Sequence, residues 1–122
     1  MEALIIEKTK ATPWVKLYPY GELFIEGRSL PEDPERFYVP VLEWIRNYKG
    51  SKLTIDIKLE YMNSSSSKQM FVLLLCIENN AHLREALINW HYDVDDEDTL
   101  EAGQEFESLI KLPFKFLEYA TN

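Results

Sequence analysis

The stretch Lys52-Leu53-Thr54-Ile55-Asp56-Ile57-Lys58-Leu59-Glu60-Tyr61-Met62, then Asn63-Ser64-Ser65-Ser66-Ser67-Lys68-Gln69, then Met70-Phe71-Val72-Leu73-Leu74-Leu75-Cys76-Ile77, decides the fold. In its first part Leu53, Ile55, Ile57, Leu59 and Tyr61 alternate with Lys52, Thr54, Asp56, Lys58 and Glu60. A period of two predicts a strand over 52–62 with one apolar and one polar face, Tyr61 on the apolar side. The eight successive apolar residues Met70 to Ile77 suit either a buried strand or a helix apolar all round. Leu, Met, Gln and Lys favour the helix, only Val72 and Ile77 are β-branched, and the serine run upstream supplies an N-cap.

Working outward, Trp14 to Leu17 and Glu22 to Glu26 flank Tyr18-Pro19-Tyr20-Gly21 and read as a hairpin. After Pro31, the residues Phe37, Val41, Leu42, Ile45 and Tyr48 recur every three to four positions, one face of a helix. Because proline fits only a helix's first turn, Pro40 places its start near Phe37 or Tyr38, and it stops before Gly50. Ala86 to Tyr92 is a strand with Ile88, Trp90 and Tyr92 on one face. Asp95 to Lys111 is an acidic-fronted helix carrying Leu100, Phe106, Leu109 and Ile110, and Phe114 to Tyr119 is a final strand. Helices that join consecutive strands favour parallel neighbours, so the second half is expected to build a mixed sheet with helices packed on it: an α/β layered domain.

Its 122 residues, 46% hydrophobic and 28% charged, are expected to form one domain, 1–122, able to bury a core without a metal or disulfide. Cys76 stands alone, cannot close a bridge within the chain, and reads as a buried structural thiol in a reducing, cytoplasmic setting. The apolar run Ala3 to Ile6 is too short for a signal peptide or a membrane span. Thirteen Lys and Arg against 21 Asp and Glu give a net charge of -8, the wrong sign for nucleic acid or anionic lipid.

Nucleophile elbows, phosphate-cradling loops and dinucleotide motifs are missing, and four glycines could not build them, so no catalytic residue and no cofactor is expected. His82 and His91 lack the i, i+4 spacing of a one-helix zinc site; His91, opposite Trp90, reads as a surface or half-buried strand residue. Asp93, Asp95, Asp96, Glu97 and Asp98 fail as a calcium loop: counted from Asp93, position six is Asp98 instead of glycine and position twelve is Gln104 instead of glutamate. Asp95 or Asp96 is expected to cap the last helix, the other carboxylates complementing its dipole, and no metal site is expected. A competing reading is a small-ligand domain or minor hydrolase using Ser64, His91 and Asp93 at the strand ends, where open α/β sheets usually bind ligands.

The segment 61–68 falls where the best strand meets the most apolar helix. One serine could cap the helix, yet one cap does not require four serines. A helix N-terminus also accommodates a phosphate, so a serine here suits a phosphoacceptor as well as a cap. The apolar helix beside it needs cover on its outer side, from other helices, a second copy in a homodimer, or a partner.

Ala11-Thr12-Pro13, Gly21-Glu22-Leu23, Gly27-Arg28-Ser29 with Pro31-Glu32, Leu42-Glu43-Trp44-Ile45, Tyr61-Met62-Asn63-Ser64-Ser65-Ser66-Ser67-Lys68, Trp90-His91-Tyr92-Asp93 and Leu112-Pro113-Phe114 together resemble the SiaC family of bacterial regulatory phosphoproteins. The resemblance spans nearly the whole chain, and the Tyr-x-Asn-Ser-Ser-Ser-x-Lys junction and the Trp-x-Tyr-Asp strand end are its most specific parts. It implies a STAS-like (anti-sigma-factor-antagonist-like) α/β fold without catalytic activity. In members of that family a dedicated protein kinase phosphorylates the Thr or Ser after that Asn, and a metal-dependent protein phosphatase removes the phosphate. In its characterised systems the bare form binds and activates a diguanylate cyclase, so the resemblance implies a partner switch tied to cyclic di-GMP signalling and biofilm formation. Carried over residue by residue, the acceptor is Ser64, with Ser65, Ser66 and Ser67 as neighbouring alternatives, and Tyr61, Asn63, Ser64, Ser65 and Lys68 form the partner-binding surface.

Overall fold

The alternation of residues 52–62 becomes the central strand β4, Lys52–Met62, of a six-stranded sheet in a computed structural model that describes residues 1–121. Along the chain the other elements are β1 (Leu4–Ile6), β2 (Trp14–Leu17), β3 (Glu22–Ser29), α1 (Pro34–Arg46), α2 (Ser64–Glu78), β5 (Glu85–Asp93), α3 (Glu97–Leu109) and β6 (Phe114–Tyr119). The strands lie side by side in sequence order; β1, β2 and β3 pair antiparallel and β3 to β6 pair parallel. Each parallel step is a strand-helix-strand crossover to the adjacent strand, and crossovers of one hand put all three helices on one face of the sheet.

The expected hairpin, mixed sheet and helix-strand alternation are all present. Gly21 closes the hairpin with φ +99°, a left-handed conformation, and its amide donates to the Tyr18 carbonyl at 2.9 Å. The sequence reading missed β1, whose three residues add an antiparallel edge to β2. Helix α1 starts three to four residues earlier than expected, because Asp33 accepts from the Arg36 amide at 3.2 Å and Pro34 opens the first turn. Pro40 sits inside this helix, but it and Arg36 are exposed, so the carbonyl that loses its amide partner faces water. Strand β5 is one residue longer at each end than 86–92, and α3 is two residues shorter at each end than 95–111. Leu109, expected to be carried by this helix with Phe106 and Ile110, is 56% exposed.

The core lies between sheet and helices. Val15, Leu23, Ile25, Ile55, Ile57, Ile88 and Trp90 line the sheet side, while Tyr38, Val41, Ile45, Met70, Leu73, Leu74, Ile77 and Phe106 come from the helices. Helix α2 runs between α1 and α3; Phe71 stacks on Phe106 with ring centroids 6.3 Å apart. Its remaining apolar side, with Val72, Leu75 and Cys76, is only half-buried, so Cys76 is not the enclosed thiol expected from its leucine neighbours. The opposite face of the sheet carries no helix and is laced with charge. Lys16 lies over Trp14 (4.9 Å), Arg28 over Tyr61 (5.9 Å) and Lys58 over Tyr119 (4.5 Å), each cation sheltering an aromatic ring from water.

Gly103 permits the close approach of α3 to the sheet: a Cβ there would fall 2.5 Å from Trp90 Cδ1 and 2.8 Å from its Cε2. Helix propensity alone favours Gly103→Ala by about 1 kcal/mol. The rigid ring cannot yield, so the expected net result is a loss of about 1–2 kcal/mol in urea denaturation, with altered Trp90 fluorescence.

Candidate functional site

The carboxyl ends of β3 and β4 set the site. The pairing of β3 with β4 shifts between Gly27 and Arg28, so that Gly27 faces Leu59 but Arg28 faces Tyr61. The extra residue in β4 is a β-bulge, and it reverses the parity of everything after it. Tyr61 therefore turns away from the helix side and is 49% exposed, contrary to the expectation that it continues the apolar row of Leu53 to Leu59. Met62, now opposite Ser29, packs against the core in its place.

Asn63 follows and caps α2. Its side chain accepts from the Ser66 amide at 2.9 Å, and its carbonyl accepts from the Ser67 amide at 2.9 Å. The cap is thus the asparagine, and the four serines form the first turn of the helix itself. Asn wins this position because its backbone is extended and its short carbonyl reaches the third residue on. Helical periodicity then sorts the serines. Ser64 and Ser65 are exposed, Ser67 is half-buried, and Ser66 is fully buried.

Ser66 enters a buried polar chain. Ser29 Oγ donates to Ser66 Oγ at 2.9 Å, which leaves the Tyr38 hydroxyl to donate to Ser29 at 2.6 Å. Ser29 and Ser66 are the buried polar residues among those described, and their mutual bonds remove the cost of burying them. Burial pushes the Tyr38 phenol above its ordinary value. The chain pins the first turn of α2 to β3 and α1, so that Ser64 is presented on a fixed support.

In front of Ser64 lies a cleft of about 410 Å³, lined by Glu60, Tyr61, Asn63, Ser64 and Ser67 on one side and Asp96, Asp98, Thr99 and Ala102 on the other. Two helices start here together. Asp96 caps α3, accepting from the Thr99 amide at 3.0 Å and the Thr99 hydroxyl at 2.7 Å, which decides between the two aspartates considered from sequence. Glu97 and Asp98 occupy the first turn of α3, where its dipole favours them. Lys68 is exposed one turn beyond Ser64 and does not line the cleft. Sequence reasoning missed Ser29, Tyr38, Asp98 and Thr99 as neighbours of the junction, since only the packing of β3, α1 and α3 around the end of β4 brings them there, and it passed over Glu60, which stands next to Tyr61.

A second, larger cleft of about 820 Å³ adjoins the first at the strand ends and includes Asp93, Asp95, Lys58 and Tyr119. Asp93 is held below the usual carboxylate range by the Thr121 hydroxyl and then by the Asp95 amide, both donating to it. Among the described residues no group of three or more His, Cys, Asp or Glu is placed to hold a metal ion.

The structure does not bring Ser64 and His91 together. His91 lies on the helix-free sheet face, its Nε2 2.8 Å from Asp56 Oδ2, and Asn89 donates to the other Asp56 oxygen at 3.1 Å. Neither cleft at the strand ends includes His91. The pair is partly exposed, with side chains 22% and 27% accessible, and such pairs contribute little. His91→Ala is therefore expected to cost no more than about 1 kcal/mol in denaturant titration, whereas a hydrolase built on His91 would lose its function.

Comparison with known proteins places this geometry. A family model described as the SiaC family regulatory phosphoprotein matches residues 6–119. An uncharacterized protein of Pseudomonas aeruginosa strain UCBPP-PA14 is 32% identical over 120 residues, covering 93% of this chain and 94% of its own length. The crystal structure of apo-SiaC from Pseudomonas aeruginosa superposes with a TM-score of 0.85 at 28% identity, over 96% of this chain and 99% of that one. A chain in the crystal structure of the diguanylate cyclase SiaD in complex with its activator SiaC, also from Pseudomonas aeruginosa, gives a TM-score of 0.85 at 28% identity, over 95% and 99%. None of the helices described is long and apolar enough to cross a membrane. With its mixed sheet, its serine-fronted helix and a family match over nearly the whole length, the chain belongs to the SiaC family of regulatory phosphoproteins.

Proposed function

We propose that this protein is the phosphorylatable switch of a partner-switching module. With Ser64 bare it docks on an effector, by kinship a diguanylate cyclase, and a phosphate on Ser64 prevents docking. The observation that carries the reading is the position of Ser64: exposed, first in α2 directly after the Asn63 cap, beside the exposed Tyr61, Ser65 and Lys68. A kinase can reach that hydroxyl without unfolding anything. Ser66 is the weakest of the alternatives, because its hydroxyl is buried in the bond from Ser29. A phosphate brings about two negative charges and a strong hydration shell into the docking surface, and both oppose burial against a partner.

In this scheme the protein does no chemistry of its own. A protein kinase adds the phosphate, a metal-dependent protein phosphatase removes it, and the effector reads the bare form. The test is the intact mass of the protein isolated from its own host, before and after phosphatase treatment, with the modified residue mapped by fragmentation. A phosphatase-sensitive gain of about 80 Da on Ser64, and capture of the cyclase only by the unmodified form, is the expected result. Equal capture by both forms would overturn the switch.

A further inference from the structure

We infer that a phosphate on Ser64 acts inside the fold as well as on its surface, by loosening the first turn of α3. This rests on Ser64 being the acceptor. Two opposing electrostatic effects meet in the Ser64 cleft. The N-termini of α2 and α3 each offer the equivalent of about half a positive charge, that of α3 already countered by Glu97 and Asp98 in its own first turn. Against them stand three carboxylates lining the cleft, Glu60, Asp96 and Asp98, and among the described residues no Lys or Arg lines it with them. A group carrying about two negative charges is therefore driven away from the α3 side more strongly than the α2 terminus holds it.

The two sides do not yield equally. The first turn of α2 is tied down by the Asn63 cap and by the buried chain from Ser66 through Ser29 to Tyr38. The first turn of α3 is held by the Asp96 carboxylate, which accepts from both the amide and the hydroxyl of Thr99, and from the core by Trp90 Nε1 on the Thr99 carbonyl. That carboxylate is among the charges facing the phosphate. Asp98, next to it in the turn, is exposed and contributes only charge. Repulsion is relieved most readily by displacing Asp96 and opening the turn it caps.

A reporter is built into the fold. Trp90 Nε1 donates to the Thr99 carbonyl at 2.9 Å, so the indole proton senses the α3 first turn from the core. The experiment uses full-length protein with phosphoserine placed at position 64 during synthesis, compared with the unmodified chain by amide exchange and by the Trp90 indole N–H resonance. We expect the Thr99 and Leu100 amides to exchange about tenfold faster or more in the phosphorylated protein, and the indole resonance to shift. Both changes should shrink in Asp98→Asn, in Glu60→Gln, and in high salt, because screening weakens repulsion across the cleft.

Unchanged exchange and an unmoved indole, in a phosphorylated protein that no longer binds the cyclase, would overturn this inference and leave the switch standing with the phosphate as a surface mark alone. Faster exchange that persists fully in the carboxylate variants and in high salt would overturn the electrostatic cause. Binding of the cyclase by the phosphorylated chain would count against the switch itself, whatever α3 does.

Discussion

Ser64→Ala is expected to abolish phosphate uptake while leaving the fold and effector binding as they are. The reasoning is positional. The N-cap hydrogen bond belongs to Asn63, so the Ser64 hydroxyl is not needed to start α2, and alanine suits the first helical turn at least as well. Its exposed position leaves the stability change within about 0.5 kcal/mol. Ser66→Ala should do the reverse. Removing that hydroxyl strips Ser29 of its buried acceptor and disturbs the Tyr38 bond behind it, at a cost of about 1–3 kcal/mol, while the surviving folded protein still takes up phosphate at Ser64. Intact-mass measurement after incubation with the kinase, paired with urea titration, separates the two variants cleanly. Full phosphate stoichiometry on Ser64→Ala would move the acceptor to Ser65, exposed beside it, or to Ser67 on the cleft wall.

The contrast between these two serines also shows what a sequence can and cannot carry. That the run 64–67 stands at a strand-helix junction follows from local periodicity and propensity, and so does the order of the strands and helices after β1. Which serine is presented and which is buried depends on Ser29 and Tyr38, and Ser29 lies 37 positions before Ser66. No local pattern contains that bond. The same holds for the cleft: Ser64 and Asp98 become neighbours only because β4 and β5 pair in parallel and each is followed at once by a helix.

Other departures had local signals that a stronger rule masked. Asp33-Pro34 is a helix start in plain view, but the rule against interior proline gave Pro40 priority; the rule weakens where the freed carbonyl faces solvent. Asn63 was the better cap than any serine, being the last extended residue before the helix. Tyr61 continued a perfect alternation, and only the partner strand reveals the bulge that turns it outward. A bulge is a property of two strands, so one strand's sequence does not announce it.

Trp90→Ala is expected to be the most damaging single truncation in the chain, at about 3–5 kcal/mol, a large part of the stability of an ordinary domain. The indole is 1% exposed on the helix side of β5. It meets Phe106 edge-on with centroids 5.5 Å apart, fills the slot left open by Gly103, and donates to the Thr99 carbonyl. Every one of those partners lies on α3. Trp44 is the useful comparison: 9% exposed, stacked on Tyr48 at 5.5 Å, with its Nε1 bonded to the Glu2 carbonyl near the chain start. Its truncation should cost less, because α1 keeps Tyr38, Val41, Leu42 and Ile45 as buried anchors without it. The loss at Trp90 should be felt unevenly. Helix α3 has few other buried anchors, so amide protection should collapse there before it falls in β4 or in the first turn of α2, whose seat is the separate chain of Ser66, Ser29 and Tyr38. Uniform loss of protection across the sheet and all three helices would mean that α3 does not open on its own. The turn that faces Ser64 would then be unable to move without unfolding the rest.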